Sequence, residues 1–230
     1  MDKKRGWFQP ILLGGYLTHV SILYDSVSMK IAILGAGNVG GALAAGWTAR
    51  GHEVVFGVRA PNKPVPDAKA RLLSVADAAR FADVLVLAVP WKAVPDALQS
   101  AGNLAGKIVL DATNPLLPDL TGLDPQAVPS GGEKVAELAR VPVVKIFNNT
   151  GAPNMRDPDY HGERVTMFYC GDDAGAKTTA RSLAEDLGFD PVDAGPLSQA
   201  RLLEPLALLW ITLALKQGLG INIAFKLMRR

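Results

Sequence analysis

The chain has 230 residues, a net charge of +2, 49% hydrophobic and 20% charged residues, and a single cysteine, Cys170. That length and composition describe a globular fold of one domain, or one domain with a small appendage, and a substantial core. A charge so near neutral argues against nucleic acid as a partner, one cysteine excludes an internal disulfide, and His19, His52 and His161 lack metal-ligand spacing.

Residues 1–28 precede the regular pattern. Lys3, Lys4 and Arg5 stand before an apolar stretch that Pro10, Gly14, Gly15 and His19 interrupt. It makes a poor signal peptide, and stable membrane insertion is not expected. The expectation is a disordered or loosely attached leader, with translation starting at Met29, directly before a strand.

The decisive stretch follows. Lys30, Ile31, Ala32, Ile33 and Leu34 lead into Gly35-Ala36-Gly37-Asn38-Val39-Gly40, a Gly-x-Gly-x-x-Gly turn after a strand and before a helical pattern over 39–50. This is the phosphate turn of a dinucleotide-binding fold. Gly35 permits the tight turn, Gly37 the approach of backbone to pyrophosphate, and Gly40 the packing of helix on strand, while the helix N-terminus offers N–H groups to the anion.

A second strand, 53–56, ends in Gly57-Val58-Arg59. An NAD-selective fold places Asp or Glu near this point to hold the ribose 2′-hydroxyl. Here Arg59 follows, with Lys63 four residues on, and both suit a 2′-phosphate. NADP is therefore favoured over NAD. Pro61, Pro64 and Pro66 leave little room for a helix, 71–74 reads as a short third strand, and 75–81 as a short helix.

Residues 83–89 form a continuous Val/Leu/Ala run, as a central parallel strand requires. Ligands of doubly wound sheets lie beyond the carboxyl ends of the strands, so Ala88, Val89 and Pro90 should border the dinucleotide. Trp91 either shields the cofactor or packs in the core. Strands are expected at 107–111, 142–147, 164–170 and 189–193, and helices at 131–139, 174–187 and 197–217. The apolar run 206–215 is too short to span a bilayer and reads as a buried or dimer-facing helix.

Several motifs together resemble a known family: Gly-Ala-Gly-Asn-Val-Gly (35–40), Gly-Val-Arg (57–59), Ala-Val-Pro-Trp (88–91), Phe-Asn-Asn-Thr-Gly (147–151) and Gly-Pro-Leu-Ser-Gln-Ala-Arg (195–201). From Met29 onward the chain is similar to the F420-dependent NADP oxidoreductases, related to the reductase domain of the STEAP metalloreductases. The resemblance implies a Rossmann domain over 29–195, a C-terminal helical extension over 196–230, and a homodimer, while the composition reads as that of a cytoplasmic protein. It implies NADP(H) as cofactor, with a deazaflavin (F420) or a flavin as the second. By the same resemblance Gly35, Gly37, Asn38, Val39 and Gly40 would hold the pyrophosphate, and Arg59 and Lys63 the 2′-phosphate. Pro90 and Trp91 would border the nicotinamide half, and Asn148, Thr150, Gly151 and Ala152 would lie near the nicotinamide and its acceptor. Val58 stands where the family often has Ser or Thr, which removes one phosphate hydrogen bond.

The expected reaction is hydride transfer between NADPH and a deazaflavin or flavin, for which no catalytic side chain is assigned. Two alternatives remain open at this stage: an NADPH-dependent reductase of a small carbonyl or imine, which would recruit Lys145, Asn148 or His161, and a non-catalytic NADPH sensor. Lys145 with Asn148 has the Lys-x-x-Asn spacing of hydroxyacid dehydrogenases, but the lysine falls inside a strand. Cys170, also in a strand, reads as an inert core residue.

Overall fold

A computed structural model describes residues 9–13, 16–20, 28–60 and 70–230. Lys63, the three prolines beside it and most of the leader lie outside the described residues. Within the leader, β1 (Gln9–Leu13) pairs antiparallel with β2 (Tyr16–Val20).

The sheet begins at β3 (Lys30–Leu34), whose alternation decides the layering. Ile31 and Ile33 enter one apolar cluster and Ala32 and Leu34 another, so both faces of the strand are buried. On the first face lies α1 (Asn38–Ala49), whose Ala42, Leu43 and Ala44 permit close packing. On the second lie α2 (Val75–Phe81) and, farther along the chain, α3 (Val94–Ala101) and α4 (Gly131–Ala139). Ser74 caps α2 by accepting from the Asp77 N–H, and Ser130 caps α4 by accepting from the Glu133 N–H. Both are the side-chain acceptor that a helix start needs.

The strands β4 (Glu53–Val58), β5 (Arg71–Ser74), β6 (Val84–Leu87), β7 (Ile108–Asp111) and β8 (Val143–Lys145) complete a parallel set with β3, in the order β8-β7-β6-β3-β4-β5. The phosphate turn after β3 thus sits at the middle of the carboxyl edge, flanked by the ends of β4 and β6.

Beyond β8 the sheet departs from a uniformly parallel one. The short α5 (Ala152–Arg156) and the two-residue strands β9 (Asp159–Tyr160) and β10 (Glu163–Arg164) link β8 to β11 (Thr166–Gly171). Parallel neighbours need a crossover, usually a helix long enough to return the chain across the sheet. This link does not supply one, and β11 runs antiparallel to β8, with Cys170 opposite Lys145. A full crossover helix, α6 (Ala174–Asp186), then makes β12 (Asp190–Asp193) parallel to β11. Among the described residues the sheet has eight strands and is mostly parallel.

The chain ends in α7 (Ala200–Ile211), followed by a wider π turn over Thr212–Lys216 and an irregular tail. The tail folds back: Thr166 N–H donates to the Phe225 carbonyl, and Leu227 N–H donates to Thr166 Oγ1. His52 is buried and structural. Its Nδ1 accepts from Met29 N–H at 3.2 Å, and its Nε2 meets Asp186 Oδ2 at 3.0 Å, tying the start of β3 to α6.

Candidate cofactor site

A cleft of ≈ 550 Å³ opens at the carboxyl edge of the parallel set. It falls within the range of small-molecule sites, roughly 300–1,000 Å³. Its lining brings together Gly35 and Gly37 from the phosphate turn, Val58 and Arg59 from the end of β4, and Ala88, Val89 and Pro90 after β6. These segments are far apart in sequence and were each expected at the cofactor.

The turn has the tight contacts its glycines imply. Gly35 sits at φ +107°, and a Cβ there would stand 2.5 Å from the Ala88 carbonyl oxygen. A Cβ on Gly40 would stand 2.3 Å from the Gly35 carbonyl oxygen. Gly37 differs: a Cβ there meets nothing within 4 Å, so the space beside it is open to a ligand. Gly37 also caps α1 without a side-chain acceptor, and the first turn of α1 carries no acidic residue. An uncovered helix start with no carboxylate on it suits an anion, and the residues present therefore fit a dinucleotide pyrophosphate.

Asn38 is exposed at the start of α1, Val39 is half-buried against the core, and Gly40 is buried beneath the turn. Arg59 is exposed where the chain leaves β4. Trp91 begins a 3-10 turn, Trp91–Ala93, and packs against the core face that holds α2 and α3 rather than lining the cleft.

The loop after β8 is built differently from the cleft. Phe147 adopts φ +62°, unusual for a residue with a side chain. It is held edge-on to Trp47, with ring centroids 5.6 Å apart, and tilted against Phe189. The following residues turn inward. Asn148 Nδ2 donates to Asn114 Oδ1 and to the Leu203 carbonyl, while Asn114 Nδ2 donates back to the Asn148 carbonyl. Thr150 Oγ1 accepts from Asn154 Nδ2, so Asn148 and Thr150 are buried and bonded within the protein. Gly151 and Ala152 are half-buried, with Gly151 against the Trp210 ring.

Beneath this loop lies a cluster that the sequence did not reveal. Lys145 is fully buried and pairs with Asp111 Oδ2 at 2.8 Å and Glu204 Oε1 at 3.0 Å, and it donates to the Thr113 carbonyl at 2.8 Å. Thr113 N–H and Oγ1 both donate to Asp111 Oδ1, and the Gly131 and Gly132 N–H groups at the start of α4 donate to the Glu204 carboxylate. Burial alone would push the Lys145 ammonium down, but Asp111 and then Glu204 outweigh it and hold the group above the ordinary lysine value. The cluster joins β7, β8, α4 and α7 in one hydrogen-bonded unit. The only hint in the sequence was a lysine inside an apolar strand. Its neighbour Cys170 is fully buried, and burial above all pushes its thiol up to about 12. His161 is exposed at φ +56° in the β9–β10 turn.

The comparisons with known proteins agree with this geometry. The family described as NADP oxidoreductase coenzyme F420-dependent matches residues 30–115. A protein from Arthrobacter sp. FB24, provisionally assigned as an F420-dependent NADP reductase, is 35% identical in a crystal structure that superposes with a TM-score of 0.79 and covers 88% of this chain and 100% of that one. The chain belongs to the F420-dependent NADP oxidoreductase family. Members of this family are NADP-dependent oxidoreductases. The metalloreductase STEAP3 of Rattus norvegicus is 32% identical over 182 residues, which is 78% of this chain and 36% of STEAP3, so this chain spans about a third of that relative. A reductive aminase from Aspergillus terreus, solved with NADPH and ethyl-5-oxohexanoate, is 22% identical with a TM-score of 0.62, over 84% of this chain and 64% of its own, and shares the fold.

Two sets of residues were missed from the sequence. One is the Lys145 cluster. The other is the face that Ala93, just before α3, shares with Asp96, Ala97 and Ser100 on it, all of which line the cleft. Their i, i+3, i+4, i+7 spacing directly after the β6 loop was the available signal.

Proposed function

We propose that this protein moves a hydride between NADPH and a deazaflavin or flavin. The observation that carries the reading is the single cleft wall on which the phosphate turn, Arg59 and the Ala88-Val89-Pro90 loop meet. The start of α1 with Gly37 takes the pyrophosphate. Arg59 takes the 2′-phosphate through its planar fork, and Lys63 assists as a point charge. Ala88, Val89 and Pro90 border the dinucleotide, with Pro90 toward its nicotinamide half, and Gly151 and Ala152 bound the acceptor side. Asn148 and Thr150 act from below, since their side chains already bond to Asn114, Leu203 and Asn154 and so fix the loop.

The dinucleotide supplies the hydride when bound; the protein's part is to hold two flat rings close and to exclude water. This division of labour agrees with a cleft wall of Val58, Ala88, Val89 and Pro90, and with Lys145 being locked in ion pairs rather than free to serve as an acid. The protein works as a homodimer in the cytoplasm, and the exposed Leu202 and Leu209 of α7 with Leu215 just after it support pairing of copies. No helix among the described residues is long and apolar enough to cross a membrane.

Stopped-flow absorbance of NADPH oxidation, with F420, FMN and FAD offered in separate runs, tests the proposal. Rapid reduction of one acceptor is the expected result. Silence with all three while NADPH binds would refute it.

A further inference from the structure

Asn154 lies in α5, three residues after Gly151, and is 2% exposed. Its amide is engaged in three directions. Nδ2 donates to Thr150 Oγ1 at 2.7 Å and to the Ile223 carbonyl at 2.6 Å, while Oδ1 accepts from the Tyr160 hydroxyl at 2.7 Å. A backbone carbonyl only accepts, so the amide nitrogen must face Ile223 and the orientation of the group is fixed. The same Ile223 carbonyl accepts from Trp210 Nε1 at 2.8 Å, and a Cβ on Gly151 would stand 2.5 Å from the Trp210 ring. One carbonyl of the C-terminal tail thus joins the indole of α7 and the amide of α5, and both bear on the loop 150–152.

We propose that Asn154 is a positioning residue for hydride transfer: by tying the Thr150-Gly151-Ala152 loop to the Ile223 carbonyl, it sets where the acceptor ring stands without touching it. The inference rests on the hydride-transfer reading above, in which Gly151 and Ala152 bound the acceptor side. The five-residue α5 cannot hold the loop by itself, since isolated helices shorter than about 12–15 residues are marginal in water. Its placement comes from outside, and Ile223 and Trp210 both belong to the C-terminal part of the chain. Hydride transfer depends steeply on the distance between the two rings, and a misplacement of about 1 Å can cost about 100-fold. A coupling follows. An acceptor that favours the ordered loop must also favour the docked tail, and by the same factor in both directions.

A purely structural Asn154 would lower the melting temperature when replaced and leave the rate of the folded enzyme at saturation unchanged. The two roles are therefore separable.

The experiment uses the full-length protein and whichever of F420, FMN or FAD the wild type reduces. Asn154→Asp keeps the shape but loses both donors, and it should transfer hydride about 10- to 100-fold more slowly at saturating NADPH and acceptor, with NADPH affinity unchanged. Tyr160→Phe, which removes one of the three bonds and little else, should slow transfer in the same direction by a smaller factor. Ser130→Ala, which loses only the cap of α4, should lower the melting temperature and leave that rate as it is. Hydrogen exchange of the wild type gives a readout without turnover. The Leu219 and Gly220 N–H groups bond to the Leu213 and Ala214 carbonyls, and Leu227 N–H bonds to Thr166 Oγ1. NADP+ with the oxidised acceptor, a pair that cannot react, should slow exchange at these three amides more than NADP+ alone, and Asn154→Asp should erase the difference. Wild-type transfer rates in both Asn154→Asp and Tyr160→Phe, or tail exchange indifferent to the acceptor, would overturn the positioning role and leave the hydride-transfer reading intact. Silence of the wild type with all three acceptors would instead refute that reading, and the positioning role with it.

Discussion

Replacing Lys145 by methionine removes the ammonium from a site where two carboxylates stay behind. Lys145 meets Asp111 at 2.8 Å and Glu204 at 3.0 Å, with all three side chains at most 2% exposed. Methionine fills most of the volume but leaves two like charges buried together. Thr113 still donates twice to Asp111, and the start of α4 still donates to Glu204, so neither carboxylate is without a partner. Breaking a buried pair in this way costs about 3–5 kcal/mol, a large part of a total stability of about 5–15 kcal/mol. Urea unfolding followed by far-UV circular dichroism should show the midpoint falling by about 1–2 M. Glu204→Gln removes one of the two charges, so Lys145→Met with Glu204→Gln should cost less than the sum of the single changes by about 0.5–3 kcal/mol. The pH dependence has a definite sign. The native Lys145 pKa lies above its unfolded value, so its contribution is full below about 10.4 and is lost as pH rises through the folded value. The gap between wild type and Lys145→Met should accordingly stay level from about pH 8 to about pH 10 and narrow above it. A midpoint shift worth less than about 1 kcal/mol, or strict additivity of the two changes, would refute the reasoning.

Arg59→Ala should weaken NADPH about 10- to 100-fold in equilibrium titration while leaving NADH nearly unchanged, since one charge-assisted contact is lost only with the 2′-phosphate. Gly37→Val should fold with a melting temperature close to wild type but bind NADPH poorly, because the added side chain enters the open space beside the turn. Gly40→Ala should instead lower stability by about 1–3 kcal/mol, its Cβ being forced against the Gly35 carbonyl. Cys170, with a thiol pushed up to about 12, should resist a thiol-specific disulfide reagent at pH 8 in the native state and react once the chain is unfolded in urea.

The parallel set and its phosphate turn were legible in the sequence because each rests on local signals. Gly35, Gly37 and Gly40 sit between a strand and a helix, and the 83–89 run is continuous and apolar. What escaped was set by contacts between distant segments. The antiparallel direction of β11 follows from the lack of a crossover helix after β8, and alternating elements alone do not show which way a strand enters the sheet. Phe147 occupies a left-handed conformation because Trp47 and Phe189 pack around it, residues that lie 100 and 42 positions away.

The site divides along the same line. Arg59 and the Ala88-Val89-Pro90 loop were expected at the cofactor from their places at strand ends, and they line one cleft. Asn148 and Thr150, polar residues in a loop, were expected near the nicotinamide and its acceptor; in the structure their side chains bond to Asn114, Leu203 and Asn154. Lys145 could be placed in a strand but not paired, since Asp111 and Glu204 are 34 and 59 residues away. Asp96 and Ser100 came to notice only once α3 was seen to border the cleft.

The most direct test of the central claim is single-turnover oxidation of NADPH carrying deuterium at either face of C4, with whichever of F420, FMN or FAD the protein reduces. A primary isotope effect is expected for one face only, because the protein must hold the nicotinamide and the acceptor ring in one fixed orientation. Oxidation that is equally fast with both labelled forms and unlabelled NADPH, or no oxidation with any of the three acceptors, would contradict it.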